Sequence, residues 1–213
     1  MKQQKTHDLV LISMLIAVEM VLMFTPLGYI PLGVVRATTL HIPVILAAII
    51  LGYRGGIVLG LVFGITSALI NTFAPTATSF VFSPFYRVGE FSGGLSSLII
   101  ALVPRMLLGG VSAFVYEKLS RKLPQSLAAS IASICGTLTN TILVLGGIYL
   151  FFGQSYAQVR NIPYQTLISV LMSIVFTNGI MEAILAAAIV TPLSKILRPR
   201  KEHPWNLKNK NAS

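Results

Sequence analysis

Apolar residues in this chain fall into six runs, residues 9–24, 40–51, 57–73, 95–115, 127–152 and 166–196, separated by polar, proline-rich or glycine-rich breaks. A hydrocarbon core of about 30 Å takes roughly 20 helical residues, so runs of this length and polarity predict membrane-spanning helices. The fifth and sixth are longer than one crossing needs and must tilt or protrude. The second, at 12 residues, is short for a crossing, and it is entered through IPLGVVRATTLHIP. That combination predicts a loop dipping into the outer half of the membrane, and short, Gly/Pro-interrupted membrane segments mark binding cavities. A tight LGYRGG turn joins the second run to the third.

Composition strengthens this reading. The 213 residues are 54% hydrophobic and 10% charged, the balance of a polytopic membrane protein rather than a soluble domain. The net charge of +10 does not point to nucleic acid, because the cations sit at the edges of the apolar runs rather than along one helix or arm. Twelve of the 16 Lys and Arg fall on one side: Lys2, Lys5, Arg54, Lys118, Arg121, Lys122, Lys195 and five in the C-terminal tail. Arg36, Arg87 and Arg160 fall on the other. That asymmetry predicts cytoplasmic N- and C-termini. The expected architecture is an all-α integral membrane protein with six transmembrane helices: a membrane domain over 1–197 and a basic cytoplasmic tail over 198–213. The tail either lies along anionic headgroups or is disordered beyond Trp205. MKQQKTHD and the first run imitate a signal peptide, but FTPLGYIPLG follows instead of a small-residue cleavage site. The single cysteine, Cys135, lies inside an apolar run and provides no disulfide framework.

The outward connections, 25–39, 74–94 and 153–165, are the long ones. APTATSFVFSPFYRVGEFSGG carries more aromatic surface than a solvated linker needs, so these loops read as lids over an outward-facing cavity, or more plainly as connectors between distant helices.

Polar residues inside the runs are the candidate site. Counted inward from the predicted outer ends, Glu19 and Asn71 lie in the outer half, Arg105, Asn140 and Asn178 lie near mid-membrane, and Glu182 is one turn deeper. At about 1.5 Å per residue, Arg105 is roughly 15 Å below the start of its span. A cation there costs several kcal/mol in lipid and must face a cavity or a partner. Two readings stay open: a ligand site, or an Arg105–Glu182 ion pair that clips two helices together. Asn140 and Asn178 likewise serve either a ligand or interhelical hydrogen bonds. His41, beside Pro43, reads as a loop-end anchor or pocket wall rather than a metal ligand. In the first run, Ser13 and Ala17 lie within about 40° of each other on a helical wheel and Glu19 about 200° from Ala17. Ser13 and Ala17 therefore make a small-residue stripe for close helix approach, either to an external partner or within the protein.

No phosphate-binding glycine loop, HExxH, paired-carboxylate spacing or recognisable nucleophile–base set occurs in the chain, so neither an ATPase nor an enzyme is indicated, and no cofactor or metal is expected.

Taken together, the stretches IPLGVVRATTLHIPVILAAIILGYRGGIVLGLVFGITS, PTATSFVFSPF, VPRMLLGG and LTNTILVLGGIYL make the chain, from about residue 9 to 197, resemble the substrate-binding S components of energy-coupling factor (ECF) vitamin transporters, most closely the pantothenate-specific members. The resemblance implies a multi-pass protein of the bacterial cell membrane that captures a vitamin from outside. It associates with a membrane coupling subunit carrying two cytoplasmic ATPases and topples to release substrate inward. The family docks through an AxxxA stripe on helix one, where this chain has Ser13 and Ala17. Pantothenate, the substrate the resemblance implies, would fit this polar inventory: Arg105 for the carboxylate, Asn140 and Asn178 for amide and hydroxyls, and Glu19 or Glu182 as hydroxyl acceptors. Phe80, Phe82 and Phe85 would form apolar walls over the gem-dimethyl end, with Asn71 and His41 completing the pocket. The alternatives are another vitamin of the same class (pyridoxine, hydroxymethylpyrimidine or folate), a self-sufficient secondary transporter, or a membrane-embedded enzyme or assembly protein.

Overall fold

The computed structural model describes residues 2–32 and 35–197; the side chains of 2–5 and 29–37, and with them Lys2, Lys5 and Arg36, fall outside the described set, as does the basic tail 198–213. Helix α1 spans Lys2–Phe24, α2 His41–Phe73, α3 Leu95–Leu119, α4 Gln125–Val159, α5 Tyr164–Ile174 and α6 Ile180–Leu197, with a π-helical turn, Val175–Gly179, joining the last two. Among the described residues, five helical stretches are long and apolar enough to cross a membrane: Thr6–Phe24, His41–Phe73, Leu95–Leu119, Gln125–Val159 and Tyr164–Leu197. Among the described residues, two short antiparallel hairpins interrupt the helical pattern. β1 (Tyr29–Leu32) pairs with β2 (Val35–Thr38), and β3 (Arg87–Val88) with β4 (Phe91–Ser92). Both lie in connections read from the sequence as loops.

The second and third apolar runs are the two legs of α2. At Gly52 the backbone leaves the helix with φ 72° and ψ −158°, a conformation that a residue without Cβ adopts at little cost. The chain folds back there. A Cβ built on Gly56 would sit 2.8 Å from the Ala48 Cβ, whereas eight residues along a straight helix separate atoms by about 12 Å.

The outgoing leg, residues 53–73, then packs against α3 through a glycine stripe. Gly56 meets the Gly109 backbone, Gly60 the Arg105 backbone and Gly64 the Ala101 carbonyl, in descending order, so leg and helix are antiparallel. Backbones come this close only where side chains are absent, and in a bilayer such packing, rather than expulsion of water, drives helix association. Helix α3 runs antiparallel to α4, with Gly136 on Ser112 and Gly147 on Ile100. Helix α4 runs antiparallel to α6, with Ser130 bonded to Thr191 at 2.8 Å and Thr141 against Gly179. Gly52, the 120–124 turn and the end of α6 therefore share one end of the bundle. The 74–94 connection and the 160–163 turn share the other.

Helix α1 buries one narrow face, Leu15, Glu19 and Met23, against Leu40, Ile42 and their neighbours on the incoming leg of α2. Leu9, Val10, Met14, Val18 and Val21 on its outer side are exposed, as are Ser13 and Ala17.

Candidate binding cavity

A cavity of about 540 Å³ lies among the outgoing leg of α2, α3, α4 and the α5–α6 junction, with Thr38 of the hairpin and Ala74, Thr76 and Thr78 of the 74–94 connection in its wall. This volume is within the range of small-molecule sites. Its wall mixes polar and apolar groups, whereas the grooves at Ile142–Leu145–Tyr149 and at Ile57–Met106–Phe114 are lined almost wholly by apolar side chains.

Arg105 is its buried cation, 7% exposed. The residue before it explains how the guanidinium is held. Pro104 carries no N–H, so the Ile100 carbonyl, one helical turn earlier, receives no backbone hydrogen bond from position 104. The Arg105 Nη1 donates to that carbonyl at 2.6 Å. The Arg105 Cζ also lies over two rings, 5.5 Å from the Phe63 centroid and 5.2 Å from that of Phe82.

At the α5–α6 junction the π turn widens the helix by one residue where Asn178 projects, and Glu182 follows one turn later; both line the cavity with Asn140 and Thr141 of α4. Glu182 Oε1 accepts from the Thr38 backbone N–H and from its hydroxyl, each at 2.9 Å, and so ties the end of β2 to α6. Asn178 Oδ1 accepts from the Thr177 hydroxyl at 3.2 Å. Asn140 Oδ1 is buried and accepts no hydrogen bond among the described residues. Asn71 lines the end nearest the 74–94 connection, with its amide engaged at both ends: Nδ2 donates to Ser67 O at 2.8 Å, and Oδ1 accepts from the Ser79 hydroxyl at 2.7 Å.

Six of the ten residues expected at the site therefore share one wall: Arg105, Asn140, Asn178, Asn71, Glu182 and Phe82. The other four lie elsewhere. Glu19 is fully buried on the inner face of α1, outside the lining, and neither carboxylate oxygen has a hydrogen-bond partner among the described residues. His41 is buried at the start of α2, one residue past Leu40, which does line the cavity. Phe80 packs into a separate apolar cluster, edge-on to Phe152 at 5.7 Å. Phe85 is 83% exposed. Missed by the sequence reading were Thr38, Ser67, Thr76, Thr78, Thr141 and the Phe63 ring. Hydroxyl residues inside apolar runs carry little signal, since most bond back to their own helix, as Thr66 does to Val62.

The chain matches the family described as "ECF transporter, substrate-specific component" over residues 7–194. It is 39% identical to the pantothenic acid transporter PanT of Lactococcus lactis subsp. cremoris over 197 residues, covering 91% of this chain and 94% of that one. It is 26% identical to the pantothenate transporter PanT of Leuconostoc mesenteroides subsp. mesenteroides over 215 residues, covering 95% and 97%. With the family match running from the first apolar helix to the last and taking in the whole cavity wall, this chain belongs to the substrate-specific components of ECF transporters.

Proposed function

We propose that this chain is a pantothenate-capturing S component, which takes the vitamin from outside and hands it inward on an ATP-driven coupling module. The observation that carries the substrate is Arg105, a buried guanidinium in the wall of a cavity that also presents the amides of Asn140 and Asn178. Pantothenate has one carboxylate, one amide, two hydroxyls and a gem-dimethyl group. A guanidinium pairs a carboxylate through charge-assisted, bidentate bonds, the two asparagines take the amide and hydroxyls, and Val144, Leu145 and Ile174 supply apolar wall. The names of both relatives support the same substrate.

In this reading the two legs of α2 count separately, giving six crossings with both termini cytoplasmic, in line with the lysine and arginine distribution. The β1–β2 hairpin and the 74–94 connection close the outer mouth. The exposed Ser13–Ala17 stripe on α1 meets the membrane coupling subunit, two ATPases supply the energy, and the chain topples to release its load.

Titration of the purified, detergent-solubilised chain with pantothenate, with pyridoxine and folate as competitors, tests the substrate. One-to-one binding is expected for pantothenate alone, with Arg105→Ala weakening it at least about 100-fold. Equal affinity in the variant removes Arg105 from the site. Vesicles holding the chain without ATPases are expected to take up no pantothenate, and uptake there would make it a self-sufficient transporter.

A further inference from the structure

We infer that Phe82 is a positioning residue for Arg105: carried on the 74–94 connection, its ring fixes the guanidinium, so a carboxylate is recognised only while that connection is seated. The inference rests on the assignment of Arg105 to the carboxylate and adds the residue that makes the assignment conditional on the loop.

The Arg105 Cζ lies 5.2 Å from the Phe82 centroid and 5.5 Å from that of Phe63. A cation within about 6 Å of a ring face is drawn to it, most strongly where water is excluded, and Arg105 is 7% exposed. The two rings differ in origin. Phe63 belongs to α2, whose glycine stripe packs directly on α3, so its place is set by the helix pair. Phe82 lies in a connection between helices, just after the 3₁₀ turn Ser79–Val81.

Hydroxyls seat that turn on both sides of Phe82. Ser79 donates to Asn71 Oδ1 at 2.7 Å, Ser83 and Thr72 share a hydrogen bond at 2.6 Å, and the Ser97 hydroxyl donates to the Phe80 carbonyl at 2.7 Å. Ser79, Ser83 and Ser97 are all fully buried. Seating the connection therefore delivers the Phe82 ring to the guanidinium, and lifting it removes one of the groups that hold the cation in place.

This differs from an apolar wall over the gem-dimethyl end, because the ring lies against the cation that would meet the opposite end of the ligand. The two roles separate on a ligand pair: pantothenate and pantothenyl alcohol, in which CH₂OH replaces the carboxylate. A wall contributes equally to both. A positioner of the guanidinium contributes to the acid.

The test is titration of both ligands against the full chain. Phe82→Leu is expected to lower pantothenate affinity about tenfold and the alcohol's less than about twofold, while Phe82→Tyr, which keeps the ring, retains both. Trifluorophenylalanine at position 82 keeps the shape and weakens the ring's negative face. It is expected to reproduce the selective loss, and it carries the test if the leucine variant does not fold. Equal losses on both ligands, or none on either, overturn the inference and leave Phe82 as wall. Arg105→Gln is the separate control: if it still prefers acid over alcohol, the carboxylate assignment of Arg105 is what fails.

Discussion

Pro104 and Arg105 act as a pair. A proline in a helix interior removes one backbone bond and costs about 3 kcal/mol, and here the carbonyl it leaves without that bond is the one that holds the Arg105 guanidinium at 2.6 Å. Pro104→Ala returns an N–H to compete for the Ile100 carbonyl. It is expected to raise the thermal midpoint of the detergent-solubilised protein while lowering pantothenate affinity about three- to tenfold. Both quantities moving in the same direction would show that the proline serves packing alone. Arg105 was conspicuous in the sequence because a cation in an apolar run has few innocent explanations. Its anchoring was not, since a guanidinium's partners are chosen by its rotamer and by rings brought from 42 and 23 residues away. Glu19 was conspicuous for the same reason as Arg105, yet it faces the α1–α2 packing and lies outside the cavity lining.

Helix contacts give these side chains their common depth. The stripe Gly56, Gly60, Gly64 lets α2 and α3 touch backbone to backbone, and a Cβ at Gly60 would run into the carbonyl of Arg105 itself. Gly60→Ala is expected to separate the two helices at the level of the site, lowering the thermal midpoint and weakening pantothenate binding together. Gly110→Ala, where a Cβ meets nothing within 4 Å, is the control expected to change neither. Loss of function in both variants alike would mean that close approach is not what Gly60 provides. At this scale the apolar runs were readable from spacing and length. The break between runs two and three was readable as the LGYRGG turn, and the structure places the non-helical residue at Gly52, where the incoming leg folds back on the outgoing one. The β1–β2 and β3–β4 hairpins were not readable, because each is too short for alternation to rise above the composition of a loop.

For the molecule as a whole, the lysine and arginine distribution predicts cytoplasmic termini and an outward-facing 74–94 connection. With Cys135 replaced by serine, a cysteine at the exposed position Phe85 is expected to react with a membrane-impermeant maleimide on intact cells, and one at Ser120 only after permeabilisation. The reverse pattern would invert the protein. The membrane class, the apolar helices and the costly polar positions all followed from the sequence, because hydropathy and charge placement are properties of residues in order, and the likeness to ECF S components followed from particular stretches such as VPRMLLGG and LTNTILVLGGIYL. Which of those polar residues share a wall was decided by tertiary structure. Helix rotation, the π turn and the glycine contacts set the direction of each side chain, and those depend on partners distant in the chain. So Asn178 and Arg105 line one cavity while Glu19, also an ionisable residue inside an apolar run, packs elsewhere.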